Sequence, residues 1–279
     1  MLVLSHLQAS ALLNAWRLGQ TALVVSPDLG LSQASVSLEE NGAHFPAAAP
    51  LGWDLLAAIA ADANVCYRVE QGDAHPIRVY SLEFDRLYSL YPTPSAPTML
   101  VSGIPMHRIK DTDPWQDTQA KIKALGESGG RMLDTATGLG YTAILAAQLG
   151  SQVITVEIDP AAQEVARQNP WSQPLFTQPR IQQLIGDCSE VIESFPDVYF
   201  SRILHDPPAF SLAGEMYSLA FYIQALRVLK PKGRMFHYIG NPESKSGASL
   251  TRGVAQRLRH AGFRRVEPRP GAFGVVAYK

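Results

Sequence analysis

The chain has 279 residues, of which 46% are hydrophobic and 18% are charged, so it is long enough for about two domains with a full apolar core. Its formal net charge of −1 excludes a strong overall attraction to nucleic acid and leaves only local basic patches as candidates. The two cysteines, Cys66 and Cys188, are too few for a disulfide framework or a zinc cage, and favour a reducing, cytoplasmic location. We expect no signal peptide and no membrane contact, because no apolar run reaches about 18 residues.

Residues 1–91 are predicted to form a small α+β domain that selects the substrate. Apolar spacing predicts helices at Ser5–Leu18 and Leu55–Ala61. Four strands are predicted, at Thr21–Ser26, Gln33–Leu38, Val65–Val69 and Ile77–Leu82. The last two are expected to pair with each other around Gln71-Gly72-Asp73. The proline-rich run 92–97 then marks a boundary, and residues 92–130 are predicted as a linker with a strand at Met99–Ile104 and a helix at Pro114–Leu125.

From Arg131 onward, strands alternate with helices. The predicted strands are Met132–Asp134, Val153–Glu157, Ile181–Ile185, Arg202–His205 and Met235–Ile239. The predicted helices are Thr142–Leu149, Ala161–Gln168, Ser189–Phe195, Ser218–Leu229 and Leu250–Ala261. Repeated units of this length predict a parallel sheet covered on both faces, that is, a Rossmann-like doubly wound α/β domain over residues 131–279. Two final strands, Arg264–Pro268 and Gly274–Tyr278, would add a C-terminal antiparallel hairpin to its edge.

A glycine turn lies between the first strand and the first helix of this domain. Asp134-Thr-Ala-Thr-Gly-Leu-Gly-Tyr141 contains two glycines, Gly138 and Gly140, which let the backbone approach a ligand. The helix that follows offers unpaired N–H groups to an anion. The turn therefore predicts a site for a nucleotide-like ligand, although Gly138-x-Gly140-x-x-Ala143 also fits the dinucleotide fingerprint.

Each of the first four strands ends at or just before an acid: Asp134, Glu157, Asp187 and Asp206. Ligands of open α/β sheets bind at the carboxyl ends of the strands. Four acids at one edge would line a crevice with hydrogen-bond acceptors, which suits a ligand that carries hydroxyls, amines and positive charge.

Each acid has a predicted role. Glu157 can accept from a ribose diol, and this holds for NAD as for an adenosine cofactor. Asp187 can accept from an adenine amine, cap the following helix, or do both. Asp134 can take an ammonium group or organise the loop. Cys188, which directly follows Asp187, is predicted to be a packing residue rather than a nucleophile.

The run His205-Asp206-Pro207-Pro208-Ala209-Phe210 discriminates best between cofactors. Two prolines fix the backbone after Asp206 and remove two donors, which leaves nearby carbonyls to accept hydrogen bonds. An acid and carbonyls at a strand end can hold an amine, and Phe210 offers a flat face for stacking or a cation–π contact. Dehydrogenases do not require this arrangement.

From Asp134 to Lys279 the sequence resembles a class I S-adenosylmethionine-dependent methyltransferase. Asp134–Gly140 is similar to that fold's first motif, Glu157 to its ribose acid and Asp187 to its adenine-side acid. Asp206–Phe210 resembles the (Asp/Asn)-Pro-Pro-(Tyr/Phe) box of amino methyltransferases, with Ala209 inserted before the aromatic residue. Gly-Leu-Gly-Tyr together with His-Asp-Pro-Pro-x-Phe-Ser is also similar to a group of uncharacterised predicted methyltransferases of archaea and bacteria.

The resemblance implies methyl transfer from S-adenosylmethionine, with Asp206 and Phe210 as catalytic residues that position a nitrogen acceptor. It implies a cofactor site made of ten residues: Asp134, Thr135, Gly138, Gly140, Tyr141, Glu157, Ile158, Asp187, Cys188 and Asp206. No metal is implied. Because the sulfonium already activates the methyl carbon, the protein would mainly align the acceptor with it.

Two alternative functions are kept open. The segment from Asp206 to Tyr222 is also similar to the one after the fourth strand in polyamine aminopropyltransferases, which share the fold and use decarboxylated S-adenosylmethionine. Those enzymes usually carry a more acidic box where this chain has Gly-Asp-Cys-Ser, and a further acid where it has Pro207. The other alternative is an RNA-binding module of methyltransferase fold without catalysis.

The C-terminal region is rich in arginine. Six arginines face a single acid, Glu267, in this span: Arg252, Arg257, Arg259, Arg264, Arg265 and Arg269. Such a cluster would follow a phosphate backbone or simply solvate a surface. The methyl acceptor is therefore open between RNA and a small amine, and a homo-oligomer is compatible with the sequence.

Overall fold

The computed structural model describes residues 1–126, 129–208, 214–241 and 244–279. The chain divides into two compact units. The first is Met1–Trp115 with Ala161–Gln173, and the second is Gln116–Pro160 with Pro174–Lys279. The domain limits drawn from the proline-rich run stay a prediction. Over the described ranges, no helix combines the length and the apolar character needed to cross a membrane.

Within the first unit, residues 1–113 contain two helices and three small antiparallel sheets. The helices are α1 His6–Arg17 and α2 Trp53–Ala61. The strands are β1 Leu2–Leu4, β2 Ala22–Val25, β3 Ala34–Glu39, β4 Gly42–His44, β5 Tyr67–Glu70, β6 Asp73–Pro76, β7 Arg78–Ser81, β8 Arg86–Tyr91, β9 Thr98–Val101 and β10 Ile104–Pro105. They form the sheets β1-β5-β6, β2-β3-β4 and β10-β9-β8-β7.

Local sequence explains why α1 begins where it does. Ser5 accepts a hydrogen bond from the backbone of Leu7, and Gln8 returns one to the backbone of Ser5, which makes a capping box. Residues on one face of the helix, Ala9, Leu12 and Ala15, are buried in the core of the first unit. The predicted α+β character of this region is confirmed.

One predicted strand pairing in the first unit is wrong. β5 pairs with β6, which begins directly after the Gln71-Gly72 turn, whereas β7 pairs with β8 in another sheet. Asp73–Pro76 carries a weak strand signal, because Asp and Pro are poor strand formers. The tight turn, with positive φ at Gln71 and Gly72, overrides that preference.

The second half of the chain alternates helices and strands. The helices are α3 Pro114–Leu125, α4 Tyr141–Gln148, α5 Pro160–Gln168, α6 Gln173–Thr177, α7 Cys188–Val191, α8 Leu219–Val228 and α9 Lys245–His260. The strands are β11 Arg131–Asp134, β12 Gln152–Glu157, β13 Ile181–Ile185, β14 Phe200–His205, β15 Leu229–Tyr238, β16 Arg265–Arg269 and β17 Gly274–Tyr278.

The described strands of the second unit form one seven-stranded sheet in the order β13-β12-β11-β14-β15-β17-β16. β11 to β15 pair in parallel, and β17 pairs antiparallel with both β15 and β16. The strand order reverses between β11 and β14, which is where open α/β sheets bind ligands. The predicted Rossmann-like doubly wound sheet with a C-terminal antiparallel hairpin is confirmed.

Two helix limits differ from the prediction by more than two residues. α9 begins at Lys245 rather than Leu250, because Ser244 caps it by accepting from the backbone of Gly247. α7 ends at Val191 and passes into a 3₁₀ turn at Ile192–Ser194.

Side chains of β14, α8 and α9, among them Ile203, Phe221 and Val254, are fully or almost fully buried in one core.

Candidate functional site

Sheet order places the four predicted acids side by side. Asp134 ends β11 and Glu157 ends β12, while Asp187 and Asp206 follow β13 and β14. Because β13, β12, β11 and β14 are consecutive neighbours in a parallel sheet, these acids lie along one edge. The charge of Asp206 acts directly on Asp134. The strand ends therefore bring the acidic residues together as the sequence predicts.

The glycine turn is tied to the neighbouring strand by Glu157. The backbone N–H of Gly138 donates to Oε2 of Glu157 at 2.8 Å, and the N–H of Asp159 donates to Oε1 at 3.2 Å. Burial raises the pKa of the Glu157 carboxyl, although these N–H groups oppose the shift. Glu157 thus holds the turn in shape, a role that the sequence analysis did not assign to it.

Gly140 occupies a position that other residues adopt only with strain. Its φ of +76° is left-handed, and it caps the N-terminus of α4. A Cβ atom at this position would lie 2.7 Å from Cδ2 of the buried Leu175. Tyr141 begins the helix and is 1% exposed, so its side chain lies in the interior. Its role in cofactor binding stays a prediction.

Replacing Gly140 with alanine is expected to destabilise the protein more than the same change at Gly150. Gly150 follows α4 and has a φ of +100°, but a Cβ there would meet nothing within 4 Å. Both changes impose left-handed strain of about 1–2 kcal/mol, and Gly140→Ala adds about 1–3 kcal/mol of overpacking. Urea denaturation of the two variants measures the difference. Equal losses would show that the contact with Leu175 has no effect.

Asp134 is buried and incompletely satisfied. Its Oδ2 accepts from the hydroxyls of Thr142 at 2.9 Å and Thr155 at 3.2 Å. Among the described residues, Oδ1 is buried without a hydrogen-bond partner. Burial raises the pKa of Asp134 to about 7, and the nearby charge of Asp206 adds to the shift. A cationic donor placed at Oδ1 would relieve this cost.

Asp187 caps the short helix α7. Its Oδ1 accepts from the backbone N–H of Ser189 at 2.8 Å and from the Ser189 hydroxyl at 2.7 Å. The capping role is therefore present, and the adenine-side role stays a prediction. Cys188 is 4% exposed, and burial raises the pKa of its thiol, which fits packing rather than nucleophilic chemistry. Ile158 is 38% exposed, an apolar surface directly after Glu157.

A buried lysine that the sequence analysis missed holds Asp206. Nζ of Lys121 lies 2.6 Å from Oδ2 of Asp206 and 2.7 Å from Oδ2 of Asp117. The Lys121 side chain is 2% exposed, that of Asp117 is fully buried and that of Asp206 is 20% exposed. Nζ also lies 4.5 Å from the centre of the Tyr238 ring. The ion pair with the buried Lys121 thus fixes the Asp206 carboxylate, part of which is open to solvent.

Electrostatics keep the Lys121 ammonium charged. Burial alone would lower its pKa, but the carboxylates of Asp206 and Asp117 together raise it above the ordinary value. Burial raises the pKa of Asp206, and Lys121 opposes that shift. The i,i+4 spacing of Asp117 and Lys121 on α3 was the available signal in the sequence, because an acid and a lysine one helical turn apart face the same side.

The loop after Asp206 is anchored by an aromatic residue. The Tyr217 hydroxyl donates to the carbonyl of Pro208 at 3.1 Å, so this carbonyl, which the sequence analysis kept for an amine, already has a protein donor. Phe210, the second predicted catalytic residue, lies outside the described residues, as does Ala209.

His205 and Thr135 fix the two strand ends to each other. Nε2 of His205 lies 2.9 Å from the carbonyl of Met216, which only accepts, so this nitrogen carries the proton. Nδ1 therefore accepts from the Thr135 hydroxyl at 2.8 Å. Burial lowers the pKa of His205 to about 3, and the neutral ring is a positioning group. Thr135, predicted as a cofactor residue, has its side chain on His205.

Comparison with known proteins agrees with this architecture. Residues 133–237 match the model of a methyltransferase domain. The uncharacterized protein MJ1233 of Methanocaldococcus jannaschii is 43% identical over 246 residues, 88% of this chain and 83% of that protein. A polyamine aminopropyltransferase of Mycobacterium tuberculosis is 27% identical over 160 residues, which are 54% of this chain and 30% of the relative.

Solved structures show the same fold. Spermidine synthase from Thermotoga maritima superposes with a TM-score of 0.57 at 16% identity, over 72% of this chain and 70% of its own. Because it is 43% identical to MJ1233 over 88% of its length, the chain belongs to the same family as that protein. It contains a methyltransferase domain whose cofactor is S-adenosylmethionine.

Proposed function

We propose that this protein transfers the methyl group of S-adenosylmethionine to a nitrogen acceptor that Asp206 orients. The observation that carries the proposal is the position of Asp206, which lies beside Asp134 at adjacent strand ends and is held by Lys121. A partly exposed carboxylate fixed in this way accepts a hydrogen bond from an amine without moving.

The donors and acceptors at the edge fit the cofactor. The orphaned Oδ1 of Asp134 lacks a donor, and the cofactor's ammonium supplies one. Glu157 would accept from the ribose and Asp187 from the adenine amine, with the exposed side chain of Ile158 against the ring. Gly138 and Gly140, both with positive φ, keep side chains away from the approach to the turn.

The main task of the protein would be to align the acceptor nitrogen with the methyl carbon. When bound, S-adenosylmethionine supplies a methyl carbon that is already activated by its sulfonium. Asp206 would accept a hydrogen bond from the acceptor N–H, which directs the nitrogen lone pair at that carbon. Asp206 or water would take the proton that the acceptor nitrogen loses once it carries the methyl group.

We expect the affinity for S-adenosylmethionine to rise about tenfold per pH unit between pH 5 and 7 and to level off above. In the free protein, the raised pKa of about 7 keeps Asp134 largely protonated below neutral pH. The cofactor's ammonium favours the carboxylate, so binding at pH 6 should release nearly one proton. The raised pKa also means that the folded chain binds this proton more tightly than the unfolded chain does. Protonation of Asp134 therefore stabilises the free fold at low pH, and this contribution is lost as the pH rises through about 7.

Calorimetry at pH 6 in buffers of different ionisation enthalpy measures the released proton. Asp134→Asn is the matched control, because it keeps the shape of the side chain and cannot titrate, so its affinity should not change with pH. An affinity of the unmodified protein that is also constant from pH 5 to 7 would contradict the pairing of Asp134 with the ammonium.

Aminopropyl transfer is the second candidate function. Among the described residues, three acids interact around Asp206, namely Asp117, Asp134 and Asp206 itself, and the ammonium of Lys121 opposes them; at and above pH 7, where Asp134 ionises, negative charge is in excess. This excess of negative charge would favour a cofactor that has lost its carboxylate. Titrating S-adenosylmethionine and its decarboxylated form side by side separates the two functions. The methyltransferase proposal requires that S-adenosylmethionine binds at least as tightly.

A further inference from the structure

A row of arginines lies at the opposite end of the sheet from Asp134 and Asp206. Arg202 on β14 is directly opposite Arg234 on β15. Arg234 is opposite Tyr278 on β17, and Tyr278 is opposite Arg265 on β16. Cross-strand partners project from the same face of a sheet, so this arginine row, Arg202, Arg234 and Arg265 with Tyr278 between the last two, forms one continuous surface.

Contacts within the row confirm that Arg234, Tyr278 and Arg265 share a face. The guanidinium carbon of Arg265 lies 4.1 Å from the centre of the Tyr278 ring, and that of Arg234 lies 5.8 Å from the same ring. Neighbouring strands are about 4.8 Å apart, which brings the two inner arginines within reach of a single small anion. The aromatic ring between arginines was not evident in the sequence.

No carboxylate among the described residues offsets the repulsion between the two inner arginines, although Nη1 of Arg202 donates to the carbonyl of Ser201 at 2.9 Å. Burial and the charge of Arg234 both lower the pKa of Arg202. Among the described residues, neither arginine forms an ion pair, and the Nε atoms of both are buried without a hydrogen-bond partner. Like charges directly opposite each other destabilise a sheet. A bound anion would neutralise the repulsion between these two arginines.

Nearby acids and helix ends do not remove this excess charge. Glu267 lies 3.2 Å from Arg265 and 2.6 Å from Arg269, so it neutralises the outer end of the row and the adjacent arginine. The C-terminal end of α3 packs against Arg234, because a Cβ at Gly126 would lie 2.5 Å from Nη1 of that residue. A helix C-terminus carries partial negative charge, but it is placed against only one of the two inner arginines.

We propose that Arg202 and Arg234 form a phosphate-binding site at the amino ends of the parallel strands. Two guanidinium groups side by side match the oxygens of a phosphate group. Exposed lysines on neighbouring elements, Lys123, Lys230 and Lys232, extend the positive surface around the site. The phosphate belongs either to a nucleic-acid backbone or to a free phosphate compound, and the two sources are separated by experiment.

The arginine row shares only Arg265 with the six C-terminal arginines that the sequence indicates. Arg265 and Arg269 share Glu267, and Arg257 hydrogen-bonds Tyr222. Arg202 and Arg234, which form no ion pair among the described residues, lie on the inner strands β14 and β15, which a count of C-terminal arginines does not include.

The test compares the full-length protein with an Arg202→Gln/Arg234→Gln variant. Two probes are used, a 12-nucleotide single-stranded RNA and inorganic phosphate, and binding is measured at 50 and 200 mM salt. We expect the double variant to bind the RNA at least about tenfold more weakly at low salt, and its salt slope to be flatter by about 1.4, since each single-strand phosphate contact contributes about 0.7. Weakened phosphate binding without any RNA binding would support the site with a free phosphate compound as its source.

Arg252→Gln/Arg259→Gln is the matched control, because it removes the same charge from exposed positions on α9, and its binding should stay within about threefold of the unmodified protein. Arg202→Lys/Arg234→Lys keeps the charge and should bind at an intermediate level. Equal binding of both probes by Arg202→Gln/Arg234→Gln and the unmodified protein would overturn the proposal. So would no binding of either probe by the unmodified protein.

Discussion

Replacing Lys121 with methionine is expected to lower the free energy of unfolding by about 3–5 kcal/mol. Methionine fills a similar volume, so the loss comes from charge rather than from a cavity. Without the ammonium, the buried Asp117 carboxylate and the partly buried Asp206 carboxylate lose their common partner and repel each other. Urea denaturation followed by circular dichroism gives the measurement.

Lys123→Met is the matched control for this change. Lys123 is on the same helix and is exposed, so its replacement should alter the free energy of unfolding by less than about 0.5 kcal/mol. The double variant Asp117→Asn/Lys121→Met removes the buried acid together with its partner and should recover part of the loss. Equal stabilities of Lys121→Met and Lys123→Met would contradict the buried ion pair.

Asp206→Asn is expected to reduce turnover by about 100-fold or more while S-adenosylmethionine still binds. The amide keeps the size of the side chain but cannot take the acceptor's proton, and its NH₂ group presents donors where the amine needs an acceptor. The ammonium of Lys121 keeps Asp117 as a partner, so the fold should survive. The measurements are kcat with the acceptor that takes the methyl group, and cofactor affinity by calorimetry.

Asp197→Asn serves as the control for the charge removed. Asp197 is 73% exposed and pairs with Arg227, and its replacement should leave kcat within about twofold, as for most surface changes. Full turnover by Asp206→Asn would remove Asp206 from the catalytic role. A loss of cofactor binding together with turnover would instead assign Asp206 to the cofactor site alone.

The sequence was sufficient to predict the sheet and the strand-end acids, because both depend on local patterns. Alternating apolar strands and helices predict a parallel sheet, and a parallel sheet brings the ends of neighbouring strands to one edge. The positions of Asp134, Glu157, Asp187 and Asp206 follow directly from this. The turn at Gly138 and Gly140 is likewise predicted by residues that tolerate positive φ.

What the sequence did not predict depends on long-range contacts. Lys121 lies 85 residues before Asp206, in a segment that was interpreted as a linker helix. No local sequence pattern predicts that the helix before the sheet brings Lys121 into contact with Asp206 at a strand end. Only the Asp117 to Lys121 spacing indicated a charged face, and such spacing is common on solvated helices.

The arginine row was missed for a related reason. Arg202, Arg234 and Arg265 are far apart in the sequence, and only strand register brings them opposite one another. The C-terminal arginines are close together in the sequence, but the pairing of strands determines which charged side chains are neighbours in the sheet. Charge patches on sheets are therefore harder to predict from sequence than acids at strand ends.

The most direct test of the central claim is transfer of a labelled methyl group from S-adenosylmethionine to a mixture of RNA, polyamines and small amines. The proposed function predicts label on a nitrogen atom of one acceptor with the unmodified protein, and none with Asp206→Asn. No methyl transfer to any acceptor, together with aminopropyl transfer from the decarboxylated cofactor to an amine, would contradict it.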